Sequence, residues 1–305
     1  MQETPVSAPA DSGPTLVTPS LLRDWPLPAP GSDKYSRGSV LVIGGARATP
    51  GAALLAGRAA LRSGAGKLTL AVAASAAVQV GVALPECGTV PLPESAGGSV
   101  TADGVELLGE DLDQADAVLI GPGLDDLDLA GELLRAVLAR EGSAGGDPSE
   151  GGPAVVLDAF ALGALSRLET APDQWRGRLI LTPNPTEAAI LLGRDVADLP
   201  ADVAEIARRF GAVVSCQGVV AASDGGLWEI TTGYGGLGTS GSGDVLAGSI
   251  AGLRARGTTG AQAACWGTHL HAAAADRLAS RLGPLGFLAG ELAGELPALM
   301  LELNT

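Results

Sequence analysis

Lysine is almost missing from this chain. Only Lys34 and Lys67 occur among 305 residues, so chemistry on phosphate must lean on arginine, backbone N–H groups or a metal ion. Positive charge is scarce overall: 19 Lys and Arg stand against 34 Asp and Glu, a net charge of −15. Nucleic acid needs a basic face, so it is excluded as a partner. A small phosphorylated ligand is not, because a local cluster of N–H groups can hold one. No uninterrupted apolar run reaches the length of a membrane span, so no membrane partner is expected. The opening Met1-Gln-Glu-Thr-Pro-Val lacks the basic and apolar regions of a signal peptide. Cys87, Cys216 and Cys265 are scattered without metal spacing, as free thiols of a reducing cytoplasm would be.

What the chain has is apolar substance. Hydrophobic residues make up 46% and charged residues 17%, enough to core one large α/β domain or two small ones. Residues 1–33, rich in Pro, Ser, Thr and Ala, read as a flexible arm with a short helical possibility near Leu21. The fold proper is expected over 34–305. Apolar runs at 39–43, 67–73, 116–120, 154–157 and 178–181 read as buried strands, with helical spacing between them at 51–63, 126–140, 161–168 and 186–192. A helix over 200–210 leads to a strand at 212–216. Strands at 219–222 and 227–231 flank Ser223-Asp-Gly-Gly226, a hairpin signal. Helices at 260–280 and 288–303 close the chain, and Glu141 to Gly152 reads as a surface loop. This alternation predicts a three-layer α/β/α sandwich on a mostly parallel central sheet.

The stretch Gly238-Thr-Ser-Gly-Ser-Gly-Asp244-Val-Leu-Ala-Gly248 stands out. A Gly-rich turn entering a helix aims several N–H groups at one point, beside the positive end of the helix dipole. A carboxylate there is better placed to take a proton from a hydroxyl than to touch the phosphate. A plainer alternative is that Asp244 merely complements the helix N-terminus. Ligands of such sheets bind beyond the carboxyl ends of the strands. Those ends carry Gly44-Gly45, Gly121-Pro-Gly123, Asp158 and Thr182-Pro-Asn-Pro185, and all would open on the rim that holds Asp244.

Several segments together resemble the ADP- or ATP-dependent NAD(P)H-hydrate dehydratases of the ribokinase-like superfamily. They are Lys34-Tyr-Ser-Arg-Gly38, Val42-Ile-Gly-Gly45, Pro50-Gly-Ala-Ala-Leu-Leu55, Arg62-Ser-Gly-Ala-Gly66, Ile120-Gly-Pro-Gly-Leu124, Leu157-Asp-Ala159, Leu181-Thr-Pro183, Gly241-Ser-Gly-Asp-Val-Leu-Ala-Gly248 and Gly286-Phe-Leu-Ala-Gly-Glu-Leu292. They run in the family's order from about residue 34 onward. The resemblance implies a lyase of metabolite repair. ADP or ATP phosphorylates the added hydroxyl of hydrated NADH or NADPH, and loss of that phosphate regenerates the cofactor. It makes Asp244 the general base and Gly241, Ser242 and Gly243 the anion hole. Ala52, Gly123, Asn184 and Asp244 would face the hydrated dinucleotide. Gln217, Gly218, Val219, Val220 and Ala221, with Gly243, would lie along the adenine nucleotide. Mg²⁺ would accompany the nucleotide. Many relatives carry a fused epimerase domain, which is not expected here. A cytoplasmic homo-oligomer, a tetramer, is expected from the resemblance and from the apolar circumference of the 261–280 helix.

Three positions depart from the family pattern. Asn184 stands where histidine is usual, Gln217 where lysine is usual, and Phe160 where a second acid is usual. Asn keeps hydrogen bonding without charge, and Gln217 lacks a charge-assisted contact to phosphate. Asp158 is open between a helix N-cap and a carboxylate on the Mg²⁺ side. Glu187 is open between early-helix electrostatics and the metal's water shell. His269 and His271, two apart on a helix, point to different faces and make no metal pair. Trp228 and Trp266 read as packing residues, and Asp125-Asp-Leu-Asp128 as a solvated helix start. Two other functions use the same residues: a kinase of a small alcohol, which needs Asp244 equally, and a non-catalytic nucleotide-binding relative.

Overall fold

The computed structural model describes residues 13–29, 31–143, 152–168, 172–233 and 235–303. Residues 1–12 of the expected arm and most of the expected loop at 141–152 lie outside the described residues. One ten-stranded sheet organises the rest. Its strands are β1 (Thr15–Leu16), β2 (Ser39–Ile43), β3 (Lys67–Ala73), β4 (Gly88–Leu92), β5 (Ala117–Ile120), β6 (Ala154–Leu157), β7 (Leu179–Leu181), β8 (Ala212–Cys216), β9 (Val219–Ala222) and β10 (Leu227–Glu229), in the order β1-β10-β9-β8-β7-β6-β5-β2-β3-β4. From β8 to β4 every neighbour pair is parallel. The expected three-layer arrangement is therefore present.

Strand composition explains the layers. Along β2, Val40 and Val42 enter one core while Leu41 and Ile43 enter the other. All four are buried, as a continuous apolar strand requires when both faces are covered. The first face carries α2 (Pro50–Arg62), α3 (Ala74–Ala83), α9 (Ser242–Ala255), α10 (Gly260–Leu282) and α11 (Ala289–Glu302). The second carries α4 (Gly109–Gln114), α5 (Leu127–Ser143), α6 (Phe160–Ser166), α7 (Pro185–Leu192) and α8 (Leu199–Phe210).

The structure corrects the flexible arm. From residue 13 onward it is a clamp. Strand β1 pairs in parallel with β10 and shields that sheet edge. Helix α1 (Pro19–Asp24) follows, N-capped by Thr18, whose hydroxyl accepts from the Leu21 N–H at 3.2 Å. Trp25 then stacks on Trp228 with centroids 6.1 Å apart. Its carbonyl accepts from Trp266 Nε1 at 2.9 Å and Gln262 Nε2 at 3.1 Å. Composition missed this because Leu22 and Trp25 bury against a surface built far later in the chain.

A second correction concerns antiparallel pairing. Besides the expected β9–β10 hairpin, β8 and β9 form one through Gln217-Gly218. Both turn residues have positive φ, 47° and 84°, the pattern of a two-residue type I′ turn. The apolar circumference of α10 also has a cause inside the chain. Ala263, Ala264, Trp266, Leu270 and Ala272 are all buried within the fold, so it says nothing about an assembly.

Glycine brings α9 onto α2. A Cβ on Gly248 would lie 2.0 Å from the Ala56 carbonyl oxygen, and one on Gly252 would lie 2.4 Å from that of Ala60. The two helices run in the same direction, and each begins six residues before the first contact. Their N-termini therefore come out level at one rim of the sheet. Replacing Gly248 with Ala should lower stability by about 1–3 kcal/mol, the usual range for overpacking, because a backbone carbonyl cannot swing aside. An unchanged urea midpoint would show that the helices separate freely.

Candidate active site

The carboxyl ends of neighbouring strands build the rim. Gly44-Gly45 leaves β2, Gly121-Pro-Gly123 leaves β5, Asp158 leaves β6, Thr182-Pro-Asn184 leaves β7 and Gln217-Gly218 leaves β8. The first two loops are laced together. Gly45 N–H donates to the Pro122 carbonyl at 2.8 Å, Ala46 N–H to that of Gly123 at 2.8 Å, and the Thr49 hydroxyl also to Gly123 at 2.8 Å. Gly123 sits so close that a Cβ there would be 2.4 Å from the Thr49 carbonyl oxygen and 3.1 Å from Ala52 Cβ. Ala52 and Gly123, read separately from sequence, are thus neighbours.

The level N-termini of α2 and α9 meet this rim, and neither carries a side-chain cap. In α9 the N-cap is Gly241, left-handed at φ 87° and packed against Leu55 and Ala289. The Ser242 N–H is occupied, donating to the Thr239 carbonyl at 3.2 Å. Among the described residues no carbonyl accepts from the N–H of Gly243 or Asp244, and open space surrounds Gly243. Of the expected anion-hole residues, Ser242 has its N–H engaged, while among the described residues no carbonyl accepts from Gly241 or Gly243, and Asp244 adds a further unclaimed N–H.

Three carboxyl groups share the rim. Asp244 is half-buried, and burial raises its pKa to about 6. It is ionised at neutral pH yet more basic than an ordinary carboxylate, as a general base should be. Asp158 is buried, and its pKa is pushed to about 7, first by burial and then by the charges of Asp244 and Glu187. The Thr182 hydroxyl donates to Asp158 Oδ1 at 2.8 Å and offsets part of that rise. The next residue, Ala159, has φ 51°, a strained value for a residue with a side chain. Burial also raises Glu187. Glu187 and Asn184 form a capping box, with Glu187 N–H to Asn184 Oδ1 at 3.0 Å and Asn184 N–H to Glu187 Oε2 at 2.9 Å. The capping box engages the Oε2 oxygen of Glu187. Among the described residues no group of three or more His, Cys, Asp and Glu can hold a metal ion. Asp158 and Glu187 do not make a protein-only cage.

Other expected residues divide. Gln217 is exposed and Gly218 half-buried at the turn that ends β8, on the rim. Val219, Val220 and Ala221 follow as buried residues of β9, which is paired on both edges. Phe160 is 41% exposed at the start of α6 and offers no acid. Lys67 opens β3 at the opposite, amino end of the strands and donates to Gln114. Arg47, just past β2, is engaged by Glu94 at 2.5 Å. Sequence reasoning gave no role to Thr182 or to the contact of His271 with Ser242. The strand-end position of Thr182 was a usable signal. For His271 there was none, since its partner is 29 residues away.

Comparisons with known proteins agree with this geometry. A family model described as NAD(P)H-hydrate dehydratase matches residues 40–298. The chain is 43% identical over 292 residues to an ADP-dependent (S)-NAD(P)H-hydrate dehydratase of Xanthomonas campestris, covering 93% of this chain and 95% of that one. It is 38% identical to a bifunctional NAD(P)H-hydrate repair enzyme Nnr of Moorella thermoacetica, covering 88% of this chain and spanning about half of that relative's length (50%). The solved ADP/ATP-dependent NAD(P)H-hydrate dehydratase of Bacillus subtilis, co-crystallised with ATP/Mg²⁺, superposes with a TM-score of 0.78 at 28% identity. That match covers 96% of this chain and all of the other (100%).

The raised carboxyl groups carry a consequence for stability. Asp158 and Asp244 hold protons more tightly in the folded protein than in an open chain. Between about pH 4 and 7 the native state therefore binds more protons than the unfolded one, and their contribution to stability falls as pH rises through that window. The melting-temperature difference between wild type and Asp158→Asn should shift against wild type from pH 4 to 7 and level off above. A difference independent of pH would mean that Asp158 titrates normally.

Proposed function

The chain belongs to the NAD(P)H-hydrate dehydratase family, and we propose that it uses ADP or ATP to return hydrated NADH or NADPH to NADH or NADPH. The observation that carries this is the first turn of α9. Two unclaimed N–H groups and a half-buried carboxylate of raised basicity stand together there, and a Cβ added at Gly243 would meet nothing within 4 Å. The transferred phosphoryl group rests against the Gly243 and Asp244 N–H groups, which stabilise its developing charge. Asp244 takes the proton of the ring hydroxyl as its oxygen bonds to phosphorus and the nucleotide departs one phosphate shorter. The phosphorylated oxygen then leaves as phosphate, a ring proton is lost, and the dihydronicotinamide double bond is restored. Ala52 and Gly123 bound the side of the pocket where the dinucleotide would lie, with Asn184 two strands away on β7.

Mg²⁺ fits the donor chemistry in a limited way. Asp158 lies within electrostatic reach of Asp244 and Glu187, and among the described residues no Lys, Arg or His pairs with it, so a cation is favourable beside it. Among the described residues no three-ligand cage is present, so Asp158 and Glu187 would hold the ion through its water shell, as Mg²⁺ usually allows. When bound, it would neutralise charge on the nucleotide phosphates. Gln217, Gly218, Val219, Val220 and Ala221, the turn after β8 and the strand it enters, would lie along the nucleotide. The unit responsible is the span from residue 34 onward, braced by residues 13–29. A cytoplasmic tetramer belongs to this proposal through the family resemblance alone. Among the described residues no helix is long and apolar enough to cross a membrane.

The direct test is an assay of hydrated NADH with ADP or ATP, followed at the absorbance of NADH. Asp244→Asn keeps size and hydrogen bonding but removes the base. Turnover should fall about 10²–10⁴-fold, with ADP affinity unchanged or improved as repulsion is relieved. Near-normal turnover would remove Asp244 from the role and turn attention to Asp158.

Gln217→Lys restores a positive charge at the exposed turn. ADP should bind about tenfold more tightly, the low end for a charge-assisted hydrogen bond. Unchanged or weaker binding would show that no phosphate passes this position.

A further inference from the structure

Helix α10 sends one polar side chain toward the phosphoryl turn. His271 Nε2 lies 3.1 Å from Ser242 Oγ, and both residues are buried, at 5% and 4% exposure. The contact joins the middle of α10 to the first residue of α9. That first turn lacks the usual restraint, because its N-cap is glycine and no side chain caps it. Gly243 is exposed and Asp244 half-buried, so Ser242 is the one polar side chain of the turn anchored in the interior. Its N–H is tied to Thr239 and its hydroxyl to His271.

We infer that His271 is a positioning residue: through the Ser242 hydroxyl it fixes the first turn of α9, and with it the aim of the Gly243 and Asp244 N–H groups and of the Asp244 carboxylate. An ordinary cap would hold such a turn by occupying its N–H groups. Here those groups must stay free, so the restraint comes from the side, on the hydroxyl of the adjacent residue. Burial holds the His271 pKa down to about 4, so near neutral pH the imidazole aligns Ser242 without adding charge beside the transferred phosphoryl. Had His271 served only to satisfy itself in the core, no link to the anion turn would be needed. His269, two residues earlier, keeps a buried Nδ1 with no partner.

This inference rests on the proposed use of the α9 turn, and a double-mutant cycle separates the two. Ser242→Ala, His271→Phe, the double variant and His271→Gln are compared for kcat on hydrated NADH, for ADP affinity by calorimetry and for melting temperature. Each single variant should lower kcat about 10- to 100-fold, the scale of a small misplacement of reacting groups. The double variant should lose no more than the worse single, because both break one link. His271→Gln, whose amide reaches the position of Nε2, should recover part of the loss. Losses that multiply in the double variant would overturn the inference. So would normal kcat and ADP affinity with only a lower melting temperature. If His271→Phe does not fold, Ser242→Ala and His271→Gln carry the comparison alone, with the same loss and partial recovery expected. If wild type fails to dehydrate the substrate, the proposed function falls. ADP affinity over the same variants then decides the positioning role: non-additive weakening sustains it and unaltered binding ends it.

Discussion

Helices α2 and α9 touch through backbone, and much of the molecule follows from that contact. Gly248 and Gly252 let α9 rest on the carbonyls of Ala56 and Ala60 with no side chain between them. Parallel helices locked in this register present their N-termini side by side, so two positive dipole ends face one rim. Neither N-terminus has a side-chain cap. In most helices an uncapped first turn is a loss of stability. Here it leaves N–H groups for a ligand, and the tight glycine contact keeps the two ends from drifting apart.

Charge at the rim follows a consistent logic. The two lysines lie at the amino end of the strands, Lys67 at the start of β3 and Lys34 against Gly66 just before it, and Arg47 is already paired with Glu94. In the proposed function phosphate recognition therefore falls to backbone donors, which carry partial charge and need no counter-ion. Burial raises Asp244 and Asp158, and the charge of Asp244 raises Asp158 further. The site can thus hold a proton near neutral pH and release it when a cation or substrate changes the local field. The neutral imidazole of His271 fits the same economy, since a charged group there would compete for the phosphoryl.

The N-terminal clamp shows how a segment of loop-like composition can be structural. Strand β1 covers the free edge of β10, and the Trp25 carbonyl receives two donors from α10. The same helix carries His271. Clamp and site therefore share one scaffold.

What the sequence determined by itself was the alternation of strands and helices, their parallel order and the place of Asp244. Those rest on local signals: continuous apolar runs such as 154–157, helical spacing such as 51–63, and a Gly-rich turn before an apolar helix, each legible within a few residues. Glu187 and Asn184 were half legible, since a capping box has a local pattern but its competition with metal binding does not. Tertiary structure alone decided the rest. The clamp depends on Trp25 meeting Trp228 and Trp266, more than 200 residues away. The burial of Val219 to Ala221 depends on both faces of β9 being covered, Val220 entering one core and Val219 and Ala221 the other. The raised basicity of Asp158 depends on Asp244 and Glu187 arriving from other elements. The tie of Ser242 to His271 depends on how α10 crosses α9. Periodicity and turn chemistry act over one element, whereas burial and electrostatic coupling fall off with distance in space and are indifferent to separation along the chain.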